Sequence, residues 1–459
     1  MLSRSQTSAA VLALLLSSCV SLGGAQELFY KINSTQDIIN STRTLAYDLM
    51  THYHGNESGQ IPGMLPGPPS SGLGPYHWWQ AGAMMGTYMD YWHVTNDSTY
   101  NDIVTQAMLF QVGPELNYMP PNQTGGMGND DQAFWGLSAM LAAENKFPNP
   151  PPDQPQWLEL AENLWNSQAD PSRHDNECNA IANGCFFNIG ARLARYTKND
   201  TYAQYAERTW DWLWGVGYID NENWHVYDGA HVEHNCTDIN RLKVSYNPAV
   251  LVQGAAFMYN YTDGDEKWRY RVDNMLTGML EVFFPNNTGY EHDCEPKGDC
   301  TTDMLSFKGY AHRWLGVVAQ IAPFTRKRIL PVLRDSAAAA IKQCTGPPTG
   351  RKCGFYWTKG YYVDVAVDET DGAGEAMNVF AAVMSLLMDK AEPPATAHVD
   401  GISKGNPYDG RGDGDGSTAD RFADRGPRRI TAGDKAGASI LTILIIGGGT
   451  AAFMWITVL

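Results

Sequence analysis

The sequence predicts an all-α protein, an (α/α)6 barrel of six helical hairpins carrying a small β-hairpin insertion. Three observations point there. Apolar residues recur at helical spacing in a long series of short segments from about Asp37 to Lys390. Strand-like alternation is scarce over the same stretch. One connector pattern also recurs, as Thr95-Asn96-Asp97-Ser98-Thr99-Tyr100, Thr197-Lys198-Asn199-Asp200-Thr201-Tyr202 and Thr262-Asp263-Gly264-Asp265-Glu266-Lys267-Trp268. Each copy offers an Asp or Thr cap and then an aromatic near the start of the next helix. A helix, a short turn and a capped helix make an αα-hairpin, and about six of them fill this region. A closed ring is the economical arrangement. An open α-solenoid competes with it, and periodicity alone does not choose between them.

The amino-terminal stretch is not part of that ring. Arg4 precedes an apolar run from Ala9 to Val20, followed by Gly23-Gly24-Ala25 ahead of Gln26. This is the pattern of a secretory signal peptide over residues 1–25. Helix starts are then expected near Asp37, Tyr76, Asp97, Asn129, Gln154, Phe186, Thr201, Ser245, Asp265, Thr302, Thr325 and Gly372, most with a capping residue nearby. Phe355 to Val367 is the clearest alternating stretch and is expected to form the hairpin. The folded domain is thus placed at residues 26–390.

Beyond Glu392 the composition changes. Pro393-Pro394, Gly405-Asn406-Pro407 and the run from Asp409 to Gly416 cannot bury a core, so 391–435 is expected to be a disordered Gly/Asp-rich stalk. Residues 436–459 carry no charge and follow the small residues Ala432 and Gly433. A hydrophobic tail without basic flanks fits a glycosylphosphatidylinositol (GPI) attachment signal better than a spanning helix. The expected location is therefore the outer face of the plasma membrane.

Export is also indicated by nine Asn-x-Ser/Thr sequons, at Asn33, Asn40, Asn56, Asn96, Asn122, Asn199, Asn235, Asn260 and Asn286. Short cysteine spacings, Cys178 with Cys185, Cys294 with Cys300 and Cys344 with Cys353, suit disulfides in an oxidising compartment. Cys236 is left over by this count, and spacing does not fix the connectivity. A formal net charge of −17 excludes a nucleic-acid partner, since no basic face is available to neutralise phosphate. A neutral glycan meets no such barrier. No cofactor is expected. His225, His231 and His234 do not share a helical face and no carboxylate triad accompanies them, so no metal site is expected either.

The chemistry is sought at Gly128-Asn129-Asp130-Asp131-Gln132. Adjacent carboxylates repel, and a suitable environment can hold one as an acid and the other as an anion. Glycosidic cleavage needs that division of labour. Retaining enzymes want carboxyls roughly 5–5.5 Å apart, which neighbours at a helix start can reach. Asp130 and Asp131 are the candidate catalytic pair. A helix N-terminus lowers both pKa values, so desolvation and mutual repulsion must outweigh it. Candidate sugar-binding residues are Tyr76, Trp78 and Trp79, whose rings can stack on sugar faces, with Asn129, Gln132, Asp228, Tyr246, Asn247 and Lys308 supplying polar contacts.

Gly128-Asn129-Asp130-Asp131-Gln132, taken with Tyr76-His77-Trp78-Trp79-Gln80-Ala81-Gly82-Ala83, resembles glycoside hydrolase family 76, and more narrowly its fungal GPI-anchored endo-1,6-α-mannosidases of cell-wall biogenesis. The resemblance covers about Tyr30 to Lys390 and includes Ala182-Asn183-Gly184-Cys185-Phe186-Phe187, Asn235-Cys236-Thr237-Asp238-Ile239-Asn240 and Phe307-Lys308-Gly309. It implies an (α/α)6 barrel, an α-1,6-mannan or GPI-glycan substrate, and a retaining double displacement. Asp130 would then be the nucleophile and Asp131 the acid/base, in a chain acting as a monomer. Two departures mark this sequence. Ser172-Arg173-His174-Asp175-Asn176-Glu177-Cys178 stands where the family has a longer Cys-Gly-Gly-Leu-Arg-Trp-Gln-like stretch, and His231 stands where it commonly has an acid. Three alternatives stay open: a transglycosylase using the same aspartates, a catalytically impaired glycan-binding protein of the same fold, and a structural helical ectodomain.

Overall fold

The computed structural model describes residues 28–174 and 177–405. Twelve long helices form the body among the described residues: α1 (Thr35–Met50), α2 (Trp78–Thr95), α3 (Asn101–Phe110), α4 (Asn129–Glu144), α5 (Trp157–Gln168) and α6 (Ala180–Thr197), then α7 (Asp200–Val216), α8 (Tyr246–Tyr261), α9 (Glu266–Phe283), α10 (Phe307–Ile321), α11 (Arg326–Lys342) and α12 (Ala373–Met388). Each of the twelve expected starts meets one of them.

The even-numbered helices pack side by side in the order α2, α4, α6, α8, α10, α12, and α12 returns to α2, so the inner ring closes. Each odd-numbered helix from α3 to α11 lies outside the inner helix that precedes it, and α1 covers α12. This is the (α/α)6 barrel, and the closure removes the open solenoid. The pattern of burial follows the layers. On α4 every residue from Gln132 to Glu144 is buried, because an inner helix has protein on all sides. On α7 burial is confined to Tyr202, Ala206, Thr209, Trp210 and Leu213, a single stripe facing inward.

Caps set several helix starts. Asn179 accepts from the backbone N–H groups of Ile181 and Ala182, so α6 begins well before Phe186. Asp265 caps α9 as its connector predicts, whereas Asn199 rather than an Asp or Thr caps α7, and α3 starts after Tyr100 without a side-chain cap. Two buried ion pairs tie inner helices together, Arg192 to Glu144 on the neighbouring helix at 2.7 Å and Arg313 to Asp90 across the ring at 2.6 Å.

Four expectations need correction. The hairpin is formed by β1 (Cys344–Gly346) and β2 (Lys352–Cys353), tied by the Cys344–Cys353 disulfide, and 355–367 contains a short turn at Trp357–Lys359 instead. The bridge locks the strand ends just before the alternating run begins. Cys178 pairs with Cys236, and Cys294 with Cys300; Cys185 is the one unpaired cysteine among the described residues. Cys185 sits inside the inner helix α6, fully buried, and faces no loop cysteine. Residues 391–405, assigned to the stalk by composition, pack on the barrel. There Ala395 donates its N–H to the Glu144 carbonyl, and Arg195 donates to the carbonyls of Pro394 and Ala395. Asp238, finally, brings His231 and His234 together. The expectations for 1–25 and 436–459 lie outside the described residues, as does the stalk from 406 onward.

Candidate active site

The inner helices α2, α4, α8 and α10 start at one end of the barrel, and a cavity of about 420 Å³ opens there. Its walls include Trp79, Asp130, Asp131, Phe134, Asp228, Tyr246, Asp303 and Phe307. The rings form a continuous lining. Trp79 and Phe134 lie 4.4 Å apart between centroids, and Tyr246 stacks on Phe307 at 3.8 Å and 14°. An aromatic surface edged with carboxylates is what a sugar ring needs, since its C–H faces stack while its hydroxyls hydrogen-bond.

The first turn of α4 holds the paired acids. The Gly128 N–H donates to Asp131 Oδ2 at 2.7 Å, and the Asp131 N–H donates to Asp130 Oδ1 at 3.0 Å. A Cβ added at Gly128 would sit 2.2 Å from Asp130 Oδ1 and 3.4 Å from Asp131 Oδ2. Both carboxyls therefore converge on the space that this glycine leaves empty. Its φ of −75° needs no glycine, so the close approach is the reason for one.

Desolvation outweighs the helix terminus. Burial, then the charge of Asp130, pushes the Asp131 carboxyl up to about 7, against the lowering hydrogen bond from Gly128. Burial also raises Asp130, opposed by the N–H of Asp131. Asp228 and Asp303 add to the charge around Asp130. Burial raises Asp303 too, while nearby His77 and the hydrogen bond with Trp79 pull it down. Asp228 is raised by burial and lowered by Asn247 and Asn240. Behind the pair, Glu177 is driven up to about 7 by burial and by Asp130, despite Arg173 and Asn129 beside it. The cavity is acidic throughout, which favours a neutral or cationic glycan over a phosphorylated one.

Of the expected site residues, the cavity brings together Asp130, Asp131, Trp79, Asp228 and Tyr246. Asn247 is buried beside Asp228 and acts on it from behind. The others belong to the frame. Trp78 stacks on Trp135 at 5.1 Å and donates its indole N–H to Gln111. The Tyr76 hydroxyl accepts from the N–H of Ala373 at 2.7 Å, holding the start of α12. Gln132 is fully buried and donates to the Asn117 carbonyl and Ser167. Asn129 is engaged with Arg173 away from the cavity. Lys308 is buried against Glu295 at 2.8 Å and the Phe355 carbonyl. A lysine buried this way satisfies its charge locally and has none left for a ligand.

Sequence reasoning missed Asp303, His77, Phe134 and Phe307. Thr301-Thr302-Asp303 stands just before a helix, the placement that singled out Asp130, and Phe307 adjoins the residue that was chosen.

A family model for glycosyl hydrolase family 76 matches residues 37–398. The chain is 38% identical over 480 residues to the mannan endo-1,6-alpha-mannosidase DCW1 of Eremothecium gossypii, covering 100% of both chains. It is 38% identical to the protein of that name from Saccharomyces cerevisiae, over 93% of this chain and 94% of the relative. Among solved structures, Dfg5 from Chaetomium thermophilum in complex with glucosamine superposes with a TM-score of 0.81 at 61% identity, covering 83% of this chain and 97% of that one. An inactive variant of the α-1,6-mannanase GH76A of a Salegentibacter species, bound to α-1,6-mannotriose, shares the fold at a TM-score of 0.60 and 14% identity, over 76% and 99%.

Proposed function

This chain belongs to glycosyl hydrolase family 76 and is a glycoside hydrolase, and from that premise we propose a retaining endo-1,6-α-mannosidase acting on mannan or on the mannose core of a GPI glycan. The observation that carries the proposal is the convergence of Asp130 and Asp131 at the mouth of an aromatic, acidic cavity.

In the first step the Asp130 carboxylate attacks the anomeric carbon while the Asp131 carboxylic acid gives its proton to the departing glycosidic oxygen. The C–O bond breaks and a mannosyl ester forms on Asp130. In the second step Asp131, now a carboxylate, takes a proton from an incoming hydroxyl, whose oxygen displaces Asp130. Two inversions retain the configuration. Asp131 suits the acid role because its carboxyl keeps its proton up to about pH 7. Asp130 takes the nucleophile role by its position in the family motif, and the Asp131 N–H supports its anion against the burial that opposes it. Trp79, Tyr246 and Phe307 form the platform for the sugar faces, and Asp228 and Asp303 accept from its hydroxyls.

The second acceptor decides the biology. With water the product is a free reducing end. With a glucan hydroxyl a GPI-linked glycoprotein moves onto the cell wall, which is the role we assign in cell-wall biogenesis. Relatives named as mannan endo-1,6-alpha-mannosidases support the donor class. Export fits the exposed positions of Asn33, Asn40, Asn56, Asn96, Asn122, Asn235 and Asn286, and GPI anchoring at the outer leaflet follows from the uncharged tail composition. Proton NMR of the first-formed products from an α-1,6-mannooligosaccharide, with and without a glucan acceptor, tests this. Initial α-anomers support retention, and acceptor-linked products support transfer. Initial β-anomers contradict the double displacement.

A further inference from the structure

Outside the cavity, on the loop from Gly229 to Asn240, three side chains with metal-binding atoms meet. His231 and His234 both aim Nδ1 at the same oxygen, Oδ2 of Asp238, each at 2.6 Å. One ligand atom from each residue lies within 4.8 Å of those of the other two, and all three residues are exposed. The histidines do not share a helical face, and no helix is involved. A short 3-10 turn at Val232–His234 is followed by Asn235 and Cys236 in the left-handed region, at φ 53° and 60°, which swings Asp238 back over both rings.

The loop holds this shape through its own bonds. The His231 N–H donates to Asp238 Oδ1 at 3.0 Å, and the N–H groups of His234 and Cys236 both donate to the His231 carbonyl. The Cys178–Cys236 disulfide anchors the far side to the start of α6. The usual explanation is a surface ion pair in which two imidazoles share one carboxylate. Such exposed pairs contribute little to stability, too little to account for a disulfide-braced turn that presents three donors to one point.

We propose that His231, His234 and Asp238 bind a first-row divalent cation of the zinc type, with water completing a four-coordinate shell. Two imidazoles and a carboxylate suit zinc, and calcium or magnesium prefer oxygen-only sets. Rotation of the exposed side chains brings each donor to roughly 2 Å of a common ion. The foot of the loop reaches the cavity. Asn240 donates its backbone N–H to the Gly229 carbonyl at 2.7 Å, and its side-chain amide to Asp228 Oδ2 at 3.3 Å. A cation at the tip therefore stiffens the segment that holds one cavity carboxylate. This inference stands independently of the assigned reaction.

Equilibrium dialysis of the untagged, full-length chain against zinc chloride at pH 7.5 tests it. One equivalent should bind, His231→Asn and Asp238→Asn should each weaken binding at least tenfold, and calcium should not compete. Zinc should also slow hydrogen exchange in 229–240 of the native chain and leave it unchanged in a His231→Asn/His234→Gln double variant. Equal zinc binding by the native chain and the double variant overturns the proposal, as does displacement of zinc by equimolar calcium.

Discussion

Asp130 and Asp131 are joined by a hydrogen bond as well as by a peptide bond: the N–H of the second donates to the carboxylate of the first at 3.0 Å. The two proposed roles are thereby coupled. The amide favours the Asp130 anion, and that anion adds to the burial that raises the Asp131 carboxyl to about 7. One turn of backbone thus gives each of two buried, mutually repelling carboxyls a single N–H donor.

The empty space at Gly128 should be needed for chemistry and dispensable for folding. Gly128→Ala places a methyl group 2.2 Å from Asp130 Oδ1, and the carboxyl must move. Turnover should fall at least ~100-fold, since misplacement by about 1 Å costs that much. The melting temperature should change little, because the φ of −75° accepts alanine. Steady-state kinetics and thermal melting of the variant check both halves.

The pH profile should be limited on its alkaline side by Asp131. Its acid form disappears as pH rises through about 7, so kcat/KM should fall there. A leaving group that needs no protonation, such as a dinitrophenyl mannoside, should lose much of that alkaline limb. Paired pH profiles on the two substrates measure it.

Stability should fall as pH rises. Burial holds Glu291 protonated up to about 8, against an ordinary value of 4.5, while it pins the start of α8 through the Ser245 N–H. Between those limits the unfolded chain gives up a proton that the folded chain keeps, so stability is fullest at the low end and is lost toward pH 8. Glu291→Gln should flatten that slope, whose span from 4.5 to about 8 corresponds to at most about 5 kcal/mol. Denaturant titrations at pH 5 and 8 check the sign.

Trp78 and Trp79, adjacent in the chain, should separate by function. Trp78→Ala opens the core beside Trp135 and should cost about 3–5 kcal/mol of stability. Trp79→Phe should instead raise KM for mannan with a small change in melting, since Trp79 faces the cavity. Chemical denaturation and kinetics on both variants distinguish them.

The sequence announced its fold through residues that act locally. Asn199 and Asp265 cap the helices they precede, and the stripe on α7 repeats every turn. Asp130 and Asp131 were legible for a similar reason, being adjacent and at a helix start. What stayed hidden is non-local. Cys178 finds Cys236 across 58 residues because the Gly229 bridge to Asn179 carries the loop beside it. Trp78 and Lys308 have the chemistry of sugar contacts, and only the packed barrel turns them toward Gln111 and Glu295. Asp303 enters the cavity from a loop far along the chain, where its place before a helix is a signal but nothing local ties it to Asp130.

Trapping the covalent intermediate tests the central claim most directly. Incubation with an activated fluorinated mannoside, followed by peptide fragmentation, should place one mannosyl group on Asp130 of the native chain and none on Asp130→Ala. A label on Asp131, Asp228 or Asp303, or an active enzyme that never becomes labelled, would contradict the division of roles between the paired acids.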